Sequence, residues 1–308
     1  MSSMGCHTEM VVLRRALITG IDGFTGYYLK HEFEAAGWEV WGTGMAELPA
    51  EPKYRRIDLA DVAGLTALAD ELRPDAVVHL AAISFIGHGD PGAFYRVNLI
   101  GTRNLLAALA AAGKRPDCVL LPSSANVYGN AVAGMLDENT SPNPASDYAV
   151  SKLAMEYMAR LWMDRLPIVI VRPFNYTGIG QTPQFLIPKI VDHFRHRAPV
   201  IELGNIDVER DFSDVRFVTR AYCELLRHAP AGQVFNICSG NVYSLKRILA
   251  MMAEIAGYEI QVRVNPAFVR ANEVQRLEGD PGKLMAVAKE LPRISLEETL
   301  RWMYAIGI

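Results

Sequence analysis

Short apolar runs alternate with longer stretches of helical periodicity through the first two-thirds of the chain. The runs predict strands at Ala16–Thr19, Glu39–Gly42, Ala76–Leu80, Cys118–Ser123, Ile168–Arg172 and Val234–Ile237. Between them, apolar spacing predicts helices near Gly26–Ala36, Asp61–Leu72, Phe94–Ala112, Tyr148–Asp164 and Arg216–His228. Strands alternating with helices imply an α/β fold, a doubly wound parallel sheet covered on both faces. Beyond Arg172 the pattern loosens into Pro/Gly-rich loops, and a helix-rich part closes the chain. Residues 1–172 and 213–240 are therefore expected to form the sheet domain. Residues 173–212 and 241–308 should build a smaller α/β lobe. Ligands of such sheets bind at the carboxyl ends of the strands, and the active site is expected there.

The first of those ends carries "ALITGIDGFTGYYLKHEF", a strand, a glycine turn and a helix start in succession. Gly20, Gly23 and Gly26 are spaced G-x-x-G-x-x-G, which permits a tight turn and close backbone approach to a pyrophosphate. The helix amino terminus then faces the phosphates. At the first βα junction of a βαβ chain this predicts a Rossmann-type dinucleotide site. NAD sites usually carry an acid just past the second strand, but here that stretch reads "WGTGMAE", with no acid before Glu47. This tilts the expectation to NADP(H), with NAD(H) as the alternative and Arg14, Arg15 or Arg55 as candidate phosphate partners. Asp58, in "RRIDLAD", either bonds the adenine edge or caps the helix beginning near Asp61.

A strand-end Ser pair in "CVLLPSSANVYGN" precedes Tyr148 by some two dozen residues, and Lys152 follows Tyr148 by one helical turn. Ser124, Tyr148 and Lys152 can converge beside a bound nicotinamide. Ser124 would bond the reacting oxygen, and Tyr148 would act as general acid or base. Lys152, a cation near the phenol, is expected to lower its pKa.

Composition removes other classes. Of 308 residues, half are hydrophobic and 21% charged, with a formal net charge of -3. That balance argues against a broad nucleic-acid footprint, and the basic groups at Arg14-Arg15, Lys53–Arg56 and His193–Arg197 are too short to reverse it. No apolar run approaches a membrane span, and the first ten residues show no secretory signal. Cys6, Cys118, Cys223 and Cys238 lack metal-like spacing, and no histidine has a metal-like companion. The expectation is a cytoplasmic enzyme without a catalytic metal.

Taken together, TGIDGFTG, Asp58-Leu59, HLAA (79–82), NLIGTRNLL (98–106), SSANVYG, YAVSK, VRPFN and RDFSDV resemble the extended short-chain dehydrogenase/reductases. The motifs run in family order over Leu17–Val215, and FNICSG (235–240) extends them. Within that family, VRPFNYTGIGQ and LGNIDVERDFSDV are similar to the branch of reductases and dehydratases that act on GDP-linked 4-keto-6-deoxymannose and GDP-mannose.

The resemblance implies catalysis by Ser124, Tyr148 and Lys152, with Asn98 supporting the lysine through water. For the cofactor it implies Gly20, Gly23, Phe24, Gly26, Asp58, Leu59, Leu80, Ala81, Ala82, Asn98 and Arg172. For a nucleotide sugar it implies Ser84, Asn126, Asn175, Lys189, Arg210, Arg270 and Glu273. Arg210 could instead pair with Asp211 or Asp214, and Arg270 with Glu273. His88 follows the HLAA strand, where a surface position is the simpler reading. Tyr176 stands where histidine is common, and Ile179 where proline is.

The implied reaction is NADPH-dependent reduction of a nucleotide 4-keto-6-deoxyhexose. Same-fold alternatives are a 4-epimerase and a 4,6-dehydratase, and a non-catalytic NADP sensor is a different class. Dehydratases carry a Glu or Asp two positions after the catalytic Ser/Thr, and this chain has Asn126. Apolar residues wrap most of the helix after Tyr148, through Leu153, Ala154, Tyr157, Met158, Leu161 and Trp162. The resemblance implies that it pairs with the Asn98–Ala112 helix across a two-fold axis, in a homodimer.

Overall fold

In the computed structural model, the described residues are 14–48, 51–85, 89–129, 134–228, 230–268 and 275–307. Strand β1 (Arg15–Thr19) leads through the glycine turn into helix α1 (Phe24–Ala35). Then come β2 (Glu39–Gly44), β3 (Tyr54–Arg56), α2 (Val62–Leu72) and β4 (Ala76–His79). A short helix α3 (Pro91–Phe94) runs into a π-helix over Tyr95–Gly101 and on into α4 (Thr102–Ala111). Strand β5 (Cys118–Pro122), α5 (Asp147–Arg160) and β6 (Ile168–Pro173) follow.

These strands, with β10 below, make one parallel sheet ordered β10-β6-β5-β4-β1-β2-β3. The order reverses between β1 and β4, the switch point at which such sheets open a ligand crevice. The core strands are buried on both faces, as in Val77, Val78, Leu120 and Ile170. One face packs on α1 and the later α7, through Leu29, Phe33, Val218 and Tyr222. The other packs on α2, α4 and α5, through Leu65, Leu105, Leu109 and Met155.

Past β6 the chain builds β7 (Asn175–Thr177), α6 (Leu186–Arg195), β8 (Val200–Leu203) and β9 (Glu209–Asp214). It returns through α7 (Val215–His228) to β10 (Val234–Ile237) in the main sheet. The remainder comprises β11 (Val242–Ser244), α8 (Leu245–Ala256), β12 (Gln261–Val264), β13 (Arg276–Leu277), α9 (Gly282–Val287) and α10 (Leu296–Ile306). Strand β9 pairs with β7, β11 and β13, and β8 pairs with β12. Helices α6, α8 and α10 close over their own apolar cluster, with Ile190, Phe194, Ile248 and Leu300 at its centre.

Two expectations change. Strand β3 escaped the pattern because its three residues, YRR, offer only Tyr54 to the interior. The helix expected over Phe94–Ala112 is one rod in direction but not in hydrogen bonding, since the π segment interrupts it around Asn98.

Candidate active site

The glycine turn and the loop after β4 meet at the switch point. Gly20 has φ +69°, and a Cβ there would lie 2.7 Å from the Ala81 amide nitrogen. The backbone can therefore close only around glycine. Leu80, Ala81 and Ala82 form the other wall, with the Leu80 amide bonded to the Thr19 carbonyl at 2.9 Å. Gly23 is the N-cap of α1 and offers no side chain to its first amides. Those donors point out of a helix start with no acid in its first turn, an arrangement that fits a pyrophosphate. Gly26 sits at the turn's back, where a Cβ would strike the Ile21 carbonyl oxygen at 2.5 Å.

Buried Ser124 ends the β5 segment and N-caps a 3-10 turn over Ala125–Tyr128. Its Oγ accepts from the Asn126 amide at 3.1 Å and from Asn126 Nδ2 at 3.2 Å. Tyr148 stands at the start of α5, where Ser146 caps the helix by accepting from the Ala149 amide. Met155 shares the buried face with Tyr148 and Lys152. Lys152 Nζ donates to the Pro122 carbonyl at 2.9 Å, and this contact ties α5 to the end of β5. The neighbouring Ser123 Oγ is buried without a hydrogen-bond partner.

The electrostatics differ from the sequence expectation. Burial pushes the Tyr148 phenol up to about 12, and only the nearby Ser124 hydroxyl pulls it back. Burial pulls Lys152 down to about 8, opposed by Glu156 one turn on. Burial thus leaves the phenol above its ordinary value, against the expectation that Lys152 would lower it. A protonated phenol beside a serine hydroxyl is set to donate a proton to an oxygen held between them.

Asn98 lies in the π-helix with its side chain on the loop after β4. Its Oδ1 accepts from the Ile83 amide at 2.9 Å, and its Nδ2 donates to the Ile83 carbonyl at 3.1 Å and Ser151 Oγ at 3.1 Å. A buried chain leads to its carbonyl, since Thr102 Oγ1 donates to Asn98 O at 2.7 Å. Thr102 therefore accepts from His79 Nε2 at 2.9 Å, which leaves His79 Nδ1 to accept from Thr19 Oγ1 at 2.7 Å. His79 is held neutral by burial and by Lys152, its pKa lowered to about 3.

Other expected residues are placed more loosely or elsewhere. Phe24 stacks on Tyr176 at 6.1 Å between ring centroids, and the Tyr176 hydroxyl pairs with Thr25 Oγ1 at 2.8 Å. The unusual tyrosine therefore bridges to α1. Asp58 is exposed and accepts from the Ala60 amide, whereas Asp61 caps α2. Leu59 packs toward Gly101 on the π-helix. Ser84 is exposed in the loop after β4. Asn175 donates to the Asp211 carbonyl across the β7–β9 pair, and Arg210 bonds the Glu209 and Gln275 carbonyls beside it. Lys189 donates to the Glu202 carbonyl at 2.7 Å with Nζ 4.6 Å from the Phe268 ring centre. His88, Arg270 and Glu273 lie outside the described residues.

Two placements are corrections. Arg14 and Arg15 sit at the amino end of β1, paired with Asp117 and Glu39. Arg15 lies four strand steps from Thr19, about 13 Å, so neither arginine borders the glycine turn. Arg172 is buried in a two-bond ion pair with Glu156 at 2.7 and 2.9 Å, with its guanidinium over the Tyr128 ring. It serves the β6–α5 packing and does not face the cleft. Arg55 turns onto Trp41 and Glu71. Sequence reasoning missed Asp22, whose carboxylate reaches the segment after β2, because nothing in a linear reading signals that contact.

Residues 16–238 match the NAD dependent epimerase/dehydratase family. The chain belongs to that family. Its members include a GDP-6-deoxy-D-mannose reductase of Pseudomonas aeruginosa, 36% identical over 94% of this chain and 95% of the relative. A GDP-6-deoxy-D-talose 4-dehydrogenase of Aggregatibacter actinomycetemcomitans is 34% identical over 89% and 90%. The structure of RMD from Pseudomonas aeruginosa complexed with NADPH superposes with a TM-score of 0.83 at 34% identity, covering 95% of this chain and 98% of that one. The Rossmann-type sheet and the NAD(P)-dependent oxidoreductase class expected from the motifs are those of this epimerase/dehydratase family. Among the described residues, no helix is long and apolar enough to cross a membrane, and no group of His, Cys, Asp and Glu is arranged for a metal.

Proposed function

We propose that this chain reduces the 4-keto group of GDP-4-keto-6-deoxy-D-mannose to GDP-D-rhamnose, or to its 6-deoxytalose epimer, with NADP(H) favoured over NAD(H). The observation that carries the reading is Asn126. Two residues past Ser124, where dehydration would need a carboxylate, stands an amide that donates to Ser124 Oγ. An amide cannot accept a proton near neutral pH, so elimination at the sugar lacks its base, whereas ketone reduction needs only what Ser124 and Tyr148 supply.

A nicotinamide, when bound, would supply the hydride for C4. Ser124 holds the C4 oxygen by hydrogen bond, and Tyr148 gives that oxygen its proton as the alcohol forms. Lys152, fixed on the Pro122 carbonyl, would hold the nicotinamide ribose and return a proton to Tyr148. Asn98 orders the Ile83 loop against the same pocket. Asn175 and Arg210, on paired strands β7 and β9, take the sugar nucleotide from the lobe formed by 173–212 and 241–308. Ser84, Lys189, Arg270 and Glu273 complete that set. The relatives named for GDP-linked 6-deoxyhexoses support this substrate class.

We further propose a cytoplasmic homodimer that supplies deoxysugar for surface polysaccharide. Val150 and Tyr157 on α5, Leu161 at its C-cap and Ile100 on the adjoining π-helix stand exposed in one monomer, with Leu161 80% accessible. Light scattering at micromolar concentration is expected to give twice the monomer mass.

The test is NADPH oxidation with GDP- and dTDP-4-keto-6-deoxysugars, with NMR of the products. Turnover of the GDP-4-keto sugar is expected, with GDP-mannose left untouched in the presence of catalytic NADP⁺. Accumulation of a 4-keto product from GDP-mannose at a physiological rate refutes the assignment.

A further inference from the structure

The loop after β7 is closed on itself. Thr177 Oγ1 donates to Gln181 Oε1 at 2.8 Å, and Gln181 Nε2 donates to the Tyr176 carbonyl at 3.2 Å. Thr177 and Gln181 are buried, so both bonds lie out of water, where they hold more firmly than at a surface. Gly178 packs against α7 and α10, and a Cβ there would lie 2.5 Å from Val215 Cγ1 and 3.4 Å from Trp302 Cζ3. Residues 176–181 therefore form one rigid piece with β7.

That piece is fastened to the start of α1 at two points. The Tyr176 hydroxyl meets Thr25 Oγ1 at 2.8 Å while its ring stacks on Phe24. The Tyr28 hydroxyl donates to the Ile179 carbonyl at 2.7 Å. Phe24, Thr25 and Tyr28 thus tie the loop to the helix whose first amides fit a pyrophosphate. Burial raises the phenols of Tyr148 and Tyr222, and Tyr176 adds to both, which sets its ring on the catalytic side of β7. An imidazole, common at this position, is shorter than a phenol, so the reach to Thr25 belongs to the tyrosine.

The geometry points to Tyr176 as a positioning residue for the sugar nucleotide: through Thr25 it fixes β7, and with it Asn175, against the helix that would hold the cofactor. The inference rests on the function proposed above, in which Asn175 takes the sugar nucleotide. A strand already held needs no ordering when the ligand arrives, and that cost is removed from binding. The glycine turn is held independently, by the Thr43 carbonyl, which accepts from the Gly20 and Ile21 amides at 2.6 and 3.1 Å. Loss of the Tyr176 hydroxyl should therefore weaken the sugar nucleotide and spare the cofactor.

The test is calorimetric titration of GDP, and separately of NADPH, on the wild type, Tyr176→Phe, Thr25→Val, their double variant and Thr25→Ser. Tyr176→Phe keeps the ring stack and removes only the hydroxyl, and Thr25→Val removes its partner. Each is expected to raise the Kd for GDP about fivefold, the worth of one hydrogen bond, and the double variant to raise it no further. Thr25→Ser, which keeps the hydroxyl, should stay within about twofold of wild type, as should the NADPH Kd of Tyr176→Phe. Unchanged GDP affinity in Tyr176→Phe, or a double variant whose loss is the product of the two single losses, overturns the proposal alone. Equal weakening of GDP and NADPH in Tyr176→Phe does the same, since it marks a general loss of structure. A wild type that binds NADPH but no GDP overturns the substrate reading as well.

Discussion

Lys152 is a charge that the fold carries at a loss, and its removal should stabilise the protein. Its side chain is buried, and burial takes its pKa from 10.5 to about 8. Each unit corresponds to about 1.4 kcal/mol, so an ammonium charged in both states at neutral pH costs the native state about 3 kcal/mol. Lys152→Met keeps the packing volume and removes that penalty. It also leaves the Pro122 carbonyl without its donor, a loss of about 1–2 kcal/mol. The variant should therefore be about 1–2 kcal/mol more stable than wild type at pH 7, and without turnover. The sign follows from linkage. Below pH 8 the lysine is charged in both states and the penalty is full. Between about 8 and 10.5 the native chain loses its proton first, so wild-type stability rises with pH and the advantage of the variant shrinks. Tyr148, raised from 10 to about 12, works in the opposite direction between those values and is common to both proteins. Urea titrations at pH 7 and pH 10 measure both quantities. A variant less stable than wild type at pH 7, or a gap that does not narrow by pH 10, refutes the reasoning.

Tyr148→Phe should lower turnover about 10²–10⁴-fold while cofactor Kd stays near wild type, since it deletes the proton donor and little else. Steady-state rates and a fluorescence titration check this, and wild-type turnover would contradict the mechanism. Glu156→Gln leaves Arg172 charged and unpaired in the core, and urea denaturation should show a loss of about 3–5 kcal/mol. Gly20→Ala forces a side chain into a left-handed turn and onto the Ala81 backbone. NADPH binding, measured by titration, should weaken at least about tenfold.

The parts legible from sequence were those where one segment carries the whole signal. The glycine turn, Ser124 at a strand end and the Tyr148–Lys152 turn are each local, and the structure assembles them by sheet order alone. Strand β3 was invisible because an edge strand of three residues has no room for a pattern. The break at Asn98 was invisible because apolar spacing scarcely distinguishes an α turn from a π turn over seven residues. Arg14 and Arg15 were misplaced for a simpler reason. In a parallel sheet the amino ends of all strands gather at the edge away from the ligand, and both arginines precede or open β1.

The remaining differences arise from burial and from contacts across loops. Tyr148 and Lys152 are one turn apart, and sequence distance suggests that the cation should depress the phenol. Solvent exclusion moves the phenol up and the ammonium down, so both groups are pushed toward their neutral forms before any ligand enters. A protonated phenol suits a reductase, which must begin with the proton on Tyr148, and Lys152, still charged at neutral pH, is the group left to restore that proton. Asp22 follows the same logic on a smaller scale. A carboxylate reaches the segment after β2 from a residue more than twenty positions earlier, and Gly44 is the residue whose missing side chain admits it.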